Sequence, residues 1–443
     1  MLTAQSHAGL DERPVSSGGA CRHCDAPLRH TVVDLGMSPL CETFPAADEL
    51  NRMEPFYPLC AGVCDACWLV QVQEYVRPEL IFHEYPYFSS YSTSWLQHAE
   101  RYVRGVVQRL GLGPQSLVVE LGSNDGYLLQ YFAARAVPAL GIEPARNVAE
   151  AARARGVPTL VRMFDEACAR DLVGPDGDKL AAAAGLAHWR PAGRRPDLIC
   201  GANVLAQVSD LNGFVRAIEH LLAPDGVVTI EFPHLERLIA DNQFDTIYHE
   251  HFSYFSFTAA ERIFAAHGLV LFDVEELPTH GGSLRIWGRH AASRRWPVRA
   301  RVGALRAREA AAGVTTLEYY ADFARRVEDV KHGLLEFLID ARRRGRRTVG
   351  YGAPGKANTL LNYCGIRTDL LHYTVDRNPH KQGRFTPGTH IPILSPDAIS
   401  RWRPDYVLIL PWNLTAEIVE QMAHVRDWGG RFVVPIPEVK VIA

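Results

Sequence analysis

No stretch of the 443 residues approaches the roughly 18 consecutive apolar positions that a membrane-spanning helix needs. Residues 1–20 have no apolar core of the kind a secretory leader carries, so the chain is expected to be cytoplasmic. Charge of one dominant sign is also missing. The 47 Lys and Arg against 50 Asp and Glu leave a net charge of −3, which argues against a nucleic-acid or membrane partner. The one dense basic run, Arg342-Arg343-Arg344-Gly345-Arg346-Arg347, ends a periodic helical stretch, where positive charge complements the helix dipole. Nothing repeats at 20–50 residues. Nine cysteines in a reducing compartment exclude a disulfide framework, yet six of them fall before residue 70.

Those six are Cys21, Cys24, Cys41, Cys60, Cys64 and Cys67. Two CxxC pairs, Cys21–Cys24 and Cys64–Cys67, can place four thiolates on one tetrahedral zinc, with Cys60 and Cys41 as alternative ligands. A four-thiolate site is structural. It would stabilise residues 19–80, which show little regular pattern of their own. Residues 1–18 are Ser/Gly-rich and are expected to be disordered.

From residue 94 an α/β pattern begins. A helix over 94–110 precedes strand-like runs at 116–121, 139–143, 197–201 and 226–232, with helices at 147–155 and 211–222. Two further strands, 269–275 and 283–290, have too short a connection for a crossover helix and should pair antiparallel. About five parallel strands ending in an antiparallel hairpin is the layout of class I methyltransferases. Residues 314–345 read as one amphipathic helix through Leu317, Tyr320, Phe323, Val327, Val330, Leu334 and Leu338. A second α/β unit follows, with strands at 348–351, 371–376, 406–411 and 431–435 and a helix starting at Gly355.

The chemistry concentrates in four places. The first is Val118-Val119-Glu120-Leu121-Gly122-Ser123-Asn124-Asp125-Gly126, an apolar strand running through a glycine turn into a helix. It lacks G-x-G-x-x-G and carries Glu120 and Asp125, which suit a cationic aminoacyl ligand better than a diphosphate. Gly122 and Asn124 sit in the turn. Glu143, ending the next strand, can accept both hydroxyls of a ribose, and Asn203 follows the third strand. Together these point to S-adenosylmethionine. The second place is Asp245-Thr246-Ile247-Tyr248-His249-Glu250-His251, past the strand ending at Pro233, where acid–base chemistry is a better fit than a metal. The third is Thr279-His280-Gly281-Gly282-Ser283-Leu284-Arg285 in the hairpin, whose His280 and Arg285 can reach a phosphate or a carbonyl. The fourth, Gly350-Tyr351-Gly352-Ala353-Pro354-Gly355 followed by Asp376, matches a dinucleotide fingerprint and keeps an NAD-dependent oxidoreductase as the second reading.

These motifs, with Tyr85-Pro86-Tyr87-Phe88-Ser89-Ser90, Asn362-Tyr363-Cys364-Gly365, Asp376-Arg377-Asn378-Pro379, Lys381-Gln382-Gly383 and Pro387-Gly388-Thr389, resemble the three-domain sugar C-methyltransferases of antibiotic and surface-polysaccharide deoxysugar pathways. The resemblance runs from about Cys21 to the C-terminus. It implies an α/β protein with a zinc-binding module (19–80), a class I methyltransferase Rossmann-like domain (81–312) and a Rossmann-like substrate-binding domain (313–443). It implies a nucleotide-linked 4-keto-hexose, dTDP-linked, as substrate. His251 would be the base at carbon 3, Glu250 would orient the sugar, and Tyr248 and Tyr87 would position substrate or steady an enolate. Lys356, Asn378 and Lys381 would contact phosphate or sugar. Where the family continues Asn203-Val204-Leu205-Ala206 with a histidine, this chain has Gln207, which cannot titrate. A non-catalytic binding protein on the same scaffold is the reading that Gln207 alone favours.

Overall fold

The computed structural model describes residues 19–82, 85–186 and 194–442. The expectation of disorder for 1–18 lies outside these residues. Two short helices, Glu166–Val173 and Gly177–Ala183, follow the Thr159–Val161 strand.

Three sheets organise the described residues. The largest runs in the order Leu269–Leu277, Ser283–His290, Val227–Pro233, Leu198–Ala202, Val118–Leu121, Ala139–Glu143, Thr159–Val161. The last five strands are parallel and the first two form an antiparallel hairpin. Val118–Leu121 and Ala139–Glu143 are buried at every position, as strands covered on both faces by helices must be. The Thr93–Leu110 helix starts where the Ser92 hydroxyl accepts from the Trp95 N–H and stops at Gly111, in the left-handed region.

The cysteine-rich segment is more regular than its composition suggested. His30–Ser38, Tyr57–Val63 and Val70–Val72 form an antiparallel sheet. Its fourth strand, Ser253–Tyr254, comes from far along the chain and pairs with Val70 and Gln71. Val32, Val33, Leu35, Leu59, Ala61 and Val63 bury one continuous core with Phe244, Ile247, Phe323, Val327, Leu334, Leu360 and Leu361. The zinc-type sheet therefore shares its interior with residues 244–247 and the C-terminal helices.

The expected single helix over 314–345 is broken. A helix over Ala300–Ala312 ends at Gly313 (φ +83°), a single turn spans Glu318–Ala321, and the long helix is Phe323–Arg343. Its buried stripe from Phe323 to Leu338 follows the predicted spacing, while Leu317 is left partly exposed. The third sheet runs Ile393–Leu394, Thr374–Val375, Thr348–Tyr351, Tyr406–Ile409, Arg431–Val434 in parallel, closed by an antiparallel Lys440–Ile442 that the sequence did not reveal. No described helix is long and apolar enough to cross a membrane.

Candidate active site

Cys21, Cys24, Cys64 and Cys67 converge with all four sulfurs within 4.8 Å of one another. Two Sγ–Sγ separations are 3.4 and 3.5 Å. Zinc–sulfur bonds of about 2.3 Å in a tetrahedron require edges of about 3.8 Å, so the four thiols fit that ion. Cys41 and Cys60 stand apart from the cluster.

A cleft of about 510 Å³ opens at the carboxyl ends of the central parallel strands. Gly122, Asn124, Glu143 and Asn203 line one half. Glu143 accepts from the Asn124 and Ala145 N–H groups at 2.8 and 2.9 Å, and burial pushes its carboxyl up to about 7. Gly122 (φ +65°) admits no side chain, because a Cβ would meet Val204 at 3.1 Å. Asn124, Asn203 and His280, all at positive φ, face the same space, a clustering of backbone strain common at functional sites. The Asn203 amide stands 3.0 Å from His280 Nε2, to which its NH2 can donate, and its Oδ1 is buried without a partner. An unpartnered acceptor in the same cleft as a carboxylate that can take ribose hydroxyls suits S-adenosylmethionine, whose ammonium and ribose are donors. Met163, Phe164 and Asp165 extend this half. They follow a three-residue strand too short to stand out in the sequence.

Two acids expected here do not line the cleft. Glu120 is wholly buried beneath the loop, where desolvation holds its carboxyl well above the usual range. Asp125 pairs with Arg155 at 3.0 Å and accepts from the Ser90 N–H. Both shape the loop from behind.

The other half of the cleft is lined by Tyr85, Tyr87, Trp95, Thr246, Tyr248, His251, His280, Lys356 and Asn413. The Asp245–His251 stretch divides its side chains among three neighbours. Asp245 accepts from Trp412 Nε1 at 2.7 Å. His249 approaches the Pro58 carbonyl at 3.1 Å between Tyr57 and Tyr75. Glu250 accepts from the Cys41 N–H (2.9 Å), the Cys41 thiol (3.1 Å) and the Glu42 N–H (3.3 Å). Of the ionisable side chains in this stretch, Tyr248 and His251 line the cleft. The phenol lies 3.0 Å from His251 Nε2, while the imidazole also hydrogen-bonds the Thr246 carbonyl. The tautomer protonated on Nδ1 would leave the lone pair on Nε2, beside the phenol. Burial, then the charges of His280 and Lys356, push His251 down to about 3, so the resting imidazole is neutral.

Four more expectations are corrected. Glu250 does not line the cleft; it fastens the 41–42 turn. Arg285 is turned away beneath His280, bound to Glu231 at 2.6 Å and Glu275 at 3.1 Å. Burial alone would raise Glu231, but His98 and Arg285 hold it down at about 2. Asn378 donates to the Pro86 carbonyl, and Lys381 donates to Glu42 at 3.1 Å and to the Ala353 carbonyl. Sequence reasoning missed Glu42, Trp95 and Asn413, each a single residue in an unremarkable context.

The Gly350–Gly355 turn is plugged. Glu42 lies against the N-terminus of the Gly355–Cys364 helix and is hydrogen-bonded to the Gly355 backbone. The Cys41 sulfur would sit 2.7 Å from a Cβ at Gly355. Asp376 accepts from the Ala353 and Asn378 N–H groups. The position a dinucleotide's diphosphate would take already holds a carboxylate.

A class I methyltransferase sheet, a cleft suited to S-adenosylmethionine and an attached four-cysteine module define a zinc-containing methyltransferase. Family profiles match in series: a zinc binding domain over residues 21–82, a methyltransferase domain over 95–274 and a C-methyltransferase C-terminal domain over 278–437. The chain belongs to the three-part, S-adenosylmethionine-dependent C-methyltransferases. It is 36% identical over 431 residues, covering 97% of its own length and 98% of the relative's, to C-methyltransferase NovU of Streptomyces niveus. Among solved structures, magnesium protoporphyrin IX methyltransferase from Synechocystis aligns at 12% identity over 49% of this chain and 99% of that one, with a TM-score of 0.32. An S-adenosylmethionine-dependent methyltransferase from Clostridium acetobutylicum aligns at 10% identity over 44% and 92%, also with a TM-score of 0.32.

Proposed function

We propose that this enzyme methylates carbon 3 of a nucleotide-linked 4-keto-hexose, with dTDP as the nucleotide, in the cytoplasm. The observation that carries the reading is the Tyr248–His251 pair, a neutral imidazole whose Nε2 lies 3.0 Å from the phenol in the same cleft as Glu143 and Asn203. A C-methyltransferase needs a carbon nucleophile, and a carbon acid beside a ketone supplies one once a base removes its proton. When bound, S-adenosylmethionine supplies an electrophilic methyl on a sulfonium. Glu143, Asn203, Asn124 and Gly122 would hold that donor. Cys21, Cys24, Cys64 and Cys67 would hold the structural zinc.

His251 takes the proton through Nε2, and Tyr248 fixes the ring and lies within reach of the substrate. Tyr85 and Tyr87 wall the sugar half, tied to the donor loop through Asn124, whose Nδ2 donates to the Tyr87 carbonyl at 3.1 Å. The C-terminal unit covers the opening with Lys356 and Asn413. Gln207 also lines the cleft, where it can hydrogen-bond substrate but not carry a proton.

The test is incubation of the purified enzyme with methyl-labelled S-adenosylmethionine and a dTDP-linked 4-keto-hexose, followed by NMR of the sugar. Label on carbon 3 is the expected result. Label on an oxygen or nitrogen, or none with any keto-sugar nucleotide despite S-adenosylhomocysteine binding, would sink the reading.

A further inference from the structure

Among the described residues that line the cleft, Lys356 is the single lysine or arginine. Glu42, Glu79, Glu143, Asp165 and Asp210 share the lining with it, so the one fixed cation has a specific address. That address is unfavourable for a lysine. It is the second residue of the Gly355–Cys364 helix, where a positive charge opposes the dipole, and burial lowers its affinity for a proton.

The surroundings nevertheless hold the side chain firmly. Lys356 Nζ donates to Asn413 Oδ1 at 2.8 Å and lies 4.5 Å from the centre of the Trp412 ring. Trp412 in turn donates to Asp245, and its ring packs against Gly281, where a Cβ would collide with it at 2.5 Å. The charge is felt by both histidines of the cleft, since Lys356 is among the causes that depress His251 and His280. The ammonium therefore shares the cleft with both imidazoles.

We propose that Lys356 is a catalytic residue that stabilises the enolate oxygen formed when His251 deprotonates the substrate. The inference rests on the keto-sugar reading above. The C–H bond at carbon 3 breaks, its proton goes to His251 Nε2, and the electron pair moves onto the ketone oxygen beside the Lys356 ammonium, which keeps its own protons. The enolate carbon then takes the methyl group, the carbon–sulfur pair stays with sulfur, and the ketone re-forms. Preorganised positive charge where negative charge develops is the most effective use of such a group. The competing candidate, His280, has its Nε2 engaged with Asn203 and is kept neutral, down at about 4, first by burial. The enolate also cancels the field that depresses His251, so the base strengthens as the proton arrives.

The experiment is exchange of the carbon 3 proton in D2O, with S-adenosylhomocysteine replacing the donor, for the parent enzyme, Lys356→Met and Lys356→Gln. Methyl transfer against pH and substrate affinity by calorimetry are measured in parallel. Loss of one oxyanion donor lowers rates about 100- to 1,000-fold. Both variants should lose that much in exchange and in methyl transfer at saturation, with substrate affinity within about tenfold and S-adenosylhomocysteine binding intact. The acid limb of the rate profile should move to higher pH, because His251 loses a neighbouring cation. Weakened substrate binding with exchange at saturation unchanged would make Lys356 a phosphate contact and overturn the proposal, as would variants that behave like the parent. If the parent itself exchanges no keto-sugar nucleotide, the keto-sugar reading fails and takes this inference with it. Exchange in the parent that persists in the variants sinks the inference alone.

Discussion

The molecule contains two glycine turns that lead from a parallel strand into a helix, and they have opposite fates. The Gly122–Gly126 turn opens into the cleft, with Asn124 and Glu143 beside it. The Gly350–Gly355 turn has the better nucleotide signature, but its helix N-terminus is occupied, because the segment after the first strand of the zinc-type sheet places Cys41 and Glu42 against it. A helix N-terminus attracts an anion wherever one is available. In the first turn space is left for a ligand; in the second, the chain supplies the carboxylate itself. A fingerprint thus records the geometry of a turn and says nothing about what a distant segment packs on it.

The comparison breaks most completely if the sheet carrying the plug is lost. Structural zinc in small cysteine modules is worth about 10–16 kcal/mol of apparent binding energy, far more than the stability of one small sheet. Chelation should therefore unfold the segment around 21–72. Ser253–Tyr254, paired with Val70 and Gln71, should lose protection in hydrogen exchange at the same chelator concentration, and methyl transfer should vanish with it. Protection at 253–254 that outlasts zinc loss would show that the catalytic stretch stands without the module.

Glu42→Gln removes the plug's charge and leaves Lys381, which is almost fully buried, with neutral acceptors in place of the carboxylate, the glutamine oxygen and the Ala353 carbonyl. Breaking a buried pair on one side costs about 3–5 kcal/mol, so chemical denaturation should show a loss of that order. NAD should still not bind, since the Cys41 backbone and sulfur keep the turn closed. NAD binding to the variant would mean that one carboxylate alone separates the two turns.

The acids at the two strand ends sharpen the contrast further. Glu143→Ala should weaken S-adenosylhomocysteine binding about 10- to 100-fold, the cost of losing hydrogen bonds to a charged group. Asp376→Ala should leave that affinity unchanged, because its carboxylate serves Ala353 and Asn378. Calorimetric titration of both variants decides; equal losses would erase the distinction.

What could be read in the sequence was local. The CxxC spacing brings thiols together through a few residues of turn, and the buried parallel strands are near-continuous apolar runs. The partners that decide function are remote in sequence. Nothing near Ser253–Tyr254 hints that its neighbour is Val70–Val72, and Glu42 is a lone acid in a polar turn. The 245–251 stretch reaches the cleft at Thr246, Tyr248 and His251. It is not periodic, however, so spacing could not tell that His251 faces the cleft while Glu250, one residue earlier, faces Cys41. The helix over 314–345 failed locally although its stripe is buried from Tyr320 onward: Gly313 terminates the preceding helix, and the long helix begins only at Phe323.

Glu250 gives the smallest effect and the finest distinction between the two halves of that stretch. Burial raises its carboxyl to about 7, against a usual value near 4.3 in an unfolded chain. Between those values the folded state holds the extra proton, so folding stability contributed by this group is full below about pH 4 and declines as pH rises through 7. Glu250→Gln mimics the protonated form and keeps one acceptor for Cys41 or Glu42. The variant's unfolding free energy should therefore fall less steeply than the parent's between pH 5 and 8, measured by urea denaturation at fixed zinc. Methyl transfer by the variant should persist at pH 6 with substrate affinity unchanged, because the carboxylate points at the 41–42 turn and not at the cleft. A variant with parent-like pH dependence of stability but greatly weakened substrate binding would return Glu250 to the sugar.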